Sequence, residues 1–189
     1  GLHLLKLAKI PHFETLINTN SINKLIYLVQ DQNLNVRSGF LAKLQKYLSE
    51  DMIPDRFLHL VFFVAYDPSI KIKQNTTNWV QSFHKRQEKR QQISCEAALL
   101  RLVHSITHMQ EFQEFRRQAE TEKDQAKSEE MAVKSVTYAM DYLIFYVKTV
   151  AKSENVSLLY YFASRIKQYR DATIDQKLYD LDLAKTSSL

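Results

Sequence analysis

Between residues 31 and 49, apolar side chains recur at Val36, Phe40, Leu41, Leu44 and Leu48. Spacings of four, one, three and four place them on one face of a helix with 3.6 residues per turn. A shorter helix is predicted over 22–30, ending at Asp31, with an Asn-rich turn between the two. Asn33 and Asn35 are candidate N-caps, because a short side-chain oxygen accepts the free N–H groups of a first turn. The layout returns over 54–90: an apolar helix over 57–66, the turn Asp67-Pro68-Ser69, and a long helix over 70–90. In the first of these, Leu58, Val61, Phe62 and Ala65 form a stripe that Leu60, Phe63 and Val64 widen, which predicts contact with two neighbours. Two copies of helix, Asp-bearing turn and helix at about 35 residues predict a stack of helical hairpins.

The flanking segments follow the same rule. Residues 1–10 predict a short amphipathic helix that Pro11 ends, with a connector over 12–20 and a cap at Asn20 or Ser21. Gly39 lies inside a predicted helix, where it costs about 1 kcal/mol relative to Ala, and is read as a point of close helix approach. Ser94 is a candidate cap for a helix over 94–108 with Ala98, Leu99, Leu102, Val103 and Ile106 on its face. Residues 110–130 are rich in Gln, Glu, Lys and Arg and are read as a charged insertion between paired helices. Apolar and aromatic residues then predict a helix over 131–152, one over 157–171 and a short one over 178–185. The repeat units so defined are 21–49, 54–92, 94–152 and 155–189.

Two glycines and three prolines in 189 residues leave few breakers, and no alternating apolar run marks a strand, so the fold class is all-α. One cysteine, Cys95, excludes an internal disulfide and suggests a reducing compartment. No apolar run reaches the roughly 20 residues that span a bilayer, and no membrane role is expected. The chain opens on Gly1 rather than Met, so its start reads as lying within a longer protein and missing targeting signals carry no weight. The sequons at Asn75 and Asn155 read as chance matches.

Net charge is +5, and it is local. Residues 71–101 hold seven bases against two acids, whereas 111–130 hold seven acids against four bases. Lys85 and Lys89 are one turn apart, as are Arg86 and Arg90, so the two pairs form adjacent ridges on an exposed face. With Lys71 and Lys73 they are the candidate residues for binding a phosphate or an acidic partner. The competing reading is an ordinary solvated helix.

Other constellations fall short of chemistry. His104 and His108 have zinc-compatible spacing but lack a third ligand and the Glu of a metalloprotease motif. Cys95 has no base beside it, and two isolated glycines cannot build a phosphate loop. The aromatics over 138–146 and 160–162 have the helical spacing of core residues. No catalytic residue, metal site or cofactor is expected.

The Asp31 turn followed by Val36-Arg37 resembles the HEAT-repeat signature, which implies a HEAT-type helical-hairpin solenoid. Segments 6–13, 31–46, 65–68, 101–112 and 161–172, in that order and spacing, resemble the late HEAT repeats of the cohesin-regulator family named for precocious dissociation of sisters. The chain departs from it at His108-Met109-Gln110, where that family often has a His-Asp-Pro type turn. The resemblance implies a nuclear, chromosome-associated, non-enzymatic scaffold acting in sister-chromatid cohesion. It further implies binding of the kleisin subunit of cohesin and of its release and acetylation factors. The family's better-known contacts lie upstream of these repeats, so no family binding residue carries over. The alternative from another class is a helical repeat that binds nucleic acid through its basic face.

Overall fold

The computed structural model describes residues 1–168 of the 189, and among these every regular element is helical. The predicted helix over 178–185 and the core position Tyr169 lie outside the described residues.

The centre of the molecule is Asp55–Tyr66, a 3₁₀ coil entered through Pro54. The eight residues over 57–64 are all buried, including His59. A segment apolar on every side must be enclosed on every side. Five helices do so: α4 (Ile26–Val29), α5 (Leu34–Ser49), α6 (Ile70–Lys89), α7 (Ser94–Thr107) and α9 (Gln125–Val150). The described neighbours thus number at least five where the stripe predicted two. Hydrogen bonding in a 3₁₀ coil is poorer than in an α-helix, so this burial must hold the segment together.

Around the centre, α1 (Leu2–Leu7) rests on α5, followed by the single turn α2 (Pro11–Glu14) and by α3 (Thr19–Asn23). Pro11 opens α2 rather than merely ending α1, because its missing N–H costs nothing at a first position. The helix predicted over 22–30 is broken in two at Lys24-Leu25, and its cap is Asn18, whose side chain accepts from the Ser21 N–H at 2.8 Å. Asn33 caps α5 as expected, at 2.9 Å from the Asn35 N–H. Ser94 does not cap α7; it is the first helical residue, and its hydroxyl bonds the Asp55 carboxylate instead.

Residues 110–121 and 125–130 are helical. α8 (Gln110–Thr121) turns at 122–124 and packs back along α9, which starts at Gln125, not at 131. Asp124 caps α9, accepting from the Ala126 N–H at 3.0 Å. Phe115 meets Tyr138 across the hairpin, ring centroids 6.0 Å apart. α10 (Val156–Arg165) packs on α7, and a 3₁₀ turn, Ile166–Gln168, follows it.

Helices α5 and α6 both end in a residue of positive φ, Asp51 at 52° and Gln91 at 56°. In each, the next N–H reaches back over the last turn, Met52 to the Tyr47 carbonyl and Gln92 to the Gln87 carbonyl. This left-handed cap is usually glycine's, and the chain makes it twice without one.

Candidate functional site

Helix α6 carries all six basic candidates except Arg90, its C-cap. Ser69 caps it through its hydroxyl, 3.4 Å from the Ile72 N–H. Ile72, Thr76, Val80, Phe83, His84 and Gln87 turn inward, and Gln74, Asn75, Asn78, Gln81, Ser82, Lys85 and Lys89 turn out. The exposed residues of α6 hold one acid, Glu88, which lies beside Lys85 and Lys89 and is paired with Lys152.

The two predicted ridges differ in what they do. Arg86 and Arg90 point along the flank facing the end of α5. Arg86 donates to the Ser49 hydroxyl at 3.1 Å and lies over the Phe83 ring, and Arg90 pairs with Asp51 at 2.7 Å. Trp79, stacked on Phe83, donates to the same Ser49 hydroxyl at 3.0 Å. On the opposite flank Glu88 pairs with Lys152 at 2.7 Å, before α10. Lys85 and Lys89 stand between the flanks, exposed, about 6 Å apart along the axis. Lys71 is exposed and Lys73 half-buried, about 20 Å away at the other end of the helix. The structure therefore brings four of the six candidates together and leaves Lys71 and Lys73 apart. Bases in a last turn also complement the helix dipole, so this end gains some stability from them without a ligand.

Beneath this face lies a buried polar knot that the sequence did not announce. His84 Nε2 donates to Glu96 Oε1 at 2.8 Å, and the Asn155 amide donates to the same oxygen at 2.8 Å. Burial alone would raise the Glu96 carboxyl, but the His84 and Asn155 hydrogen bonds outweigh it and hold the group below the usual carboxylate range. Tyr146 of α9 donates to the Cys95 carbonyl at 2.8 Å. These bonds tie α6, α7, α9 and α10 together. Because Asn155 is buried and bonded, its sequon cannot accept a glycan in this fold.

A second knot joins the two Asp-bearing turns. Buried Arg37 donates from Nε to Asp67 at 2.8 Å and from Nη1 to the carbonyls of Asp31 and Gln32 at 2.7 and 3.0 Å. Asp67 also accepts from the Ser69 N–H at 2.7 Å. The signal for this was present in the Asp-turn and Val-Arg pattern, although the sequence alone did not pair the residues.

The remaining candidates are structural. The His104 and His108 rings stack with centroids 4.4 Å apart, and His108 Nδ1 donates to the His104 carbonyl at 2.8 Å. Among the described residues no group of three or more His, Cys, Asp or Glu is placed to hold a metal. Cys95 is fully buried, and burial pushes its thiol well above the ordinary range, away from the reactive thiolate. Tyr142, Tyr146 and Phe162 are core, as their spacing predicted, whereas Tyr160 and Tyr161 are exposed.

Stacked helices, linked Asp-bearing turns and a lysine ridge on an outer helix define an all-α, HEAT-type solenoid segment. Residues 1–184 match the family described as sister chromatid cohesion protein PDS5. The chain is 35% identical over 178 residues to sister chromatid cohesion protein PDS5 of Saccharomyces cerevisiae, covering 94% of this chain and 13% of that protein. It is 30% identical over 177 residues to sister chromatid cohesion protein pds5 of Schizosaccharomyces pombe, again 94% of this chain and 13% of the relative. The chain belongs to the PDS5 family, and it spans 13% of the length of the curated relatives it matches.

Proposed function

We propose that this chain is a segment of a nuclear, chromosome-associated scaffold that acts in sister-chromatid cohesion without chemistry of its own. Membership of a family named for that process is the observation that carries the reading. The scaffold's partners are cohesin, through its kleisin subunit, and the factors that release or acetylate it. The repeat units 21–49, 54–92, 94–152 and 155–189 supply the surface. Recognition by a helical stack is spread over many weak contacts, with charge setting encounter and register.

Within this segment the docking residues are Lys85 and Lys89, flanked by Arg86 and Arg90, with Lys71 and Lys73 extending the basic character of α6. The exposure of Lys85 and Lys89 supports the assignment, as does the pairing of the one exposed acid of α6, Glu88, with Lys152. Among the described residues Lys85 and Lys89 form no ion pair, and the arginines hold the face to α5. An acidic stretch of a protein partner suits such a ridge.

The test is co-precipitation of cohesin with full-length protein, wild type beside a Lys85→Gln/Lys89→Gln variant that leaves both arginines in place. Cohesin recovered with wild type and diminished with the variant supports the ridge as a docking site. Equal recovery removes the ridge and leaves the scaffold role. Absence of cohesin from both removes the scaffold role, and binding of generic duplex DNA with a steep salt dependence would then replace it.

A further inference from the structure

A cleft of about 500 Å³ opens where the two Asp-bearing turns meet the α8–α9 hairpin. Its floor is tyrosine. Tyr66 stacks on Tyr138 with ring centroids 5.3 Å apart, and Tyr142 makes T-shaped contacts with both, at 4.9 and 5.3 Å. The phenol donors are already used inside the protein. Tyr66 donates to Asp141 at 2.8 Å, Tyr142 to the Tyr138 oxygen at 3.1 Å, and Tyr138 to the Met109 sulfur at 3.8 Å. The walls are acidic. Asp31, Asp67 and Glu111 line the cleft against one cation, Arg37, which Asp67 and two carbonyls engage. Among the described residues Asp31 and Glu111 form no ion pair. Burial pushes the Tyr138 and Tyr142 phenols up, and the charge of Glu111 adds to the rise in both, so this carboxylate acts on the tyrosine floor.

We infer that this cleft takes the arginine side chain of an extended segment of a protein partner. With the phenol donors spent, the cleft offers carboxylate acceptors and ring surface. Arginine alone among side chains brings a permanent charge, a fork of donors and a flat face that stacks on an aromatic ring. Three carboxylates against one guanidinium exclude an anion, and a neutral side chain would cover the acids without compensating them. Tyr66 is 43% exposed, which leaves ring surface for a guanidinium to lie on. The three rings cover one another too closely to surround a methylated ammonium. Gln32 and Pro68 on the rim are exposed, so a chain can pass over the cleft while one side chain enters it.

The inference uses neither the lysine ridge nor cohesin, so failure of that reading leaves it standing. The test pans a phage-displayed library of random peptides against the full-length protein, after depletion on a Glu111→Lys variant. Glu111 is exposed, so the variant is expected to keep the wild-type Tm. The selected peptides are expected to share an arginine. Replacing it by citrulline, its neutral isostere, is expected to weaken binding at least about tenfold, and Glu111→Gln about three- to tenfold. Tyr66→Phe keeps the ring and is expected to keep the affinity, whereas Tyr66→Leu loses about two- to fivefold, as a stacked cation requires. Peptides that share no arginine, arginine peptides insensitive to citrulline replacement or to Glu111→Gln, and a selection that yields no peptide each overturn the inference. Equal binding by Tyr66→Phe and Tyr66→Leu overturns it as well.

Discussion

Gly39 lies on the outer side of α5, and a Cβ added there meets nothing within 4 Å. The close helix approach inferred from its presence is absent, so the residue only weakens its helix. Gly39→Ala is expected to stabilise by about 1 kcal/mol, a rise in Tm of about 2–4 °C for a chain this size. An unchanged or lower Tm contradicts this. Gln91 presents the reverse case. It holds a φ of 56° at the end of α6, a conformation that costs a non-glycine residue about 1–2 kcal/mol. Gln91→Gly is expected to gain about 1 kcal/mol in a denaturant titration with unchanged m-value, and a loss would show that the Gln91 side chain contributes something the backbone does not reveal.

His59 sets a pH dependence. Complete burial in the 3₁₀ coil lowers its pKa from 6.5 to about 3, although the Arg56 carbonyl it bonds pulls the other way. Between pH 6.5 and 3 the unfolded chain holds a proton there that the folded chain refuses. Stability is therefore complete above pH 6.5 and declines as pH falls, by at most about 1.4 kcal/mol per unit. Glu96, held low, adds a further loss below the usual carboxylate range. His59→Leu is expected to flatten the stability profile between pH 6.5 and 5, whatever it does to stability at pH 7. A slope equal to wild type contradicts the assignment.

At the scale of elements, the decisive contact is the one between turns. Arg37 and Asp67 are thirty residues apart, their side chains 8% and 1% exposed, and the same guanidinium satisfies two carbonyls of the preceding turn. Removing one member of a buried pair leaves the other uncompensated, so Arg37→Ala is expected to cost about 3–5 kcal/mol by chemical denaturation. A cost under about 1 kcal/mol would show that water reaches Asp67 freely. The elements themselves were largely legible. Periodicity located α5, α6 and α7 to within a residue or two, because each keeps one face exposed while the other is buried. It failed where burial is not one-sided. The fully enclosed 57–64 run reads as helix of any kind, since no polar face reports its pitch. The split between α3 and α4 has no breaker residue to announce it. The polar stretch over 110–130 hides its helices because its apolar anchors are sparse: Phe112 packs on the core and Phe115 meets Tyr138.

At the scale of the whole molecule, one central apolar coil organises five helices, and polar knots at Arg37 and at Glu96 lock their order. The basic end of α6 was visible from spacing alone. Its division into a structural arginine flank and an outward lysine ridge was not, because that depends on where Ser49 and Asp51 fall in three dimensions. The cleft beside Tyr66 was also hidden, since Asp31, Tyr66 and Glu111 come together only through packing.

We propose that this segment of a PDS5-family chain meets cohesin through the Lys85/Lys89 ridge. The most direct measurement is an equilibrium titration of the full-length protein against the purified kleisin subunit, wild type and Lys85→Gln/Lys89→Gln, at low and physiological salt. An affinity loss of about three- to tenfold is expected for the variant at low salt, shrinking as ionic strength rises, as screened surface charges require. Identical affinities for both proteins across the salt range would contradict it.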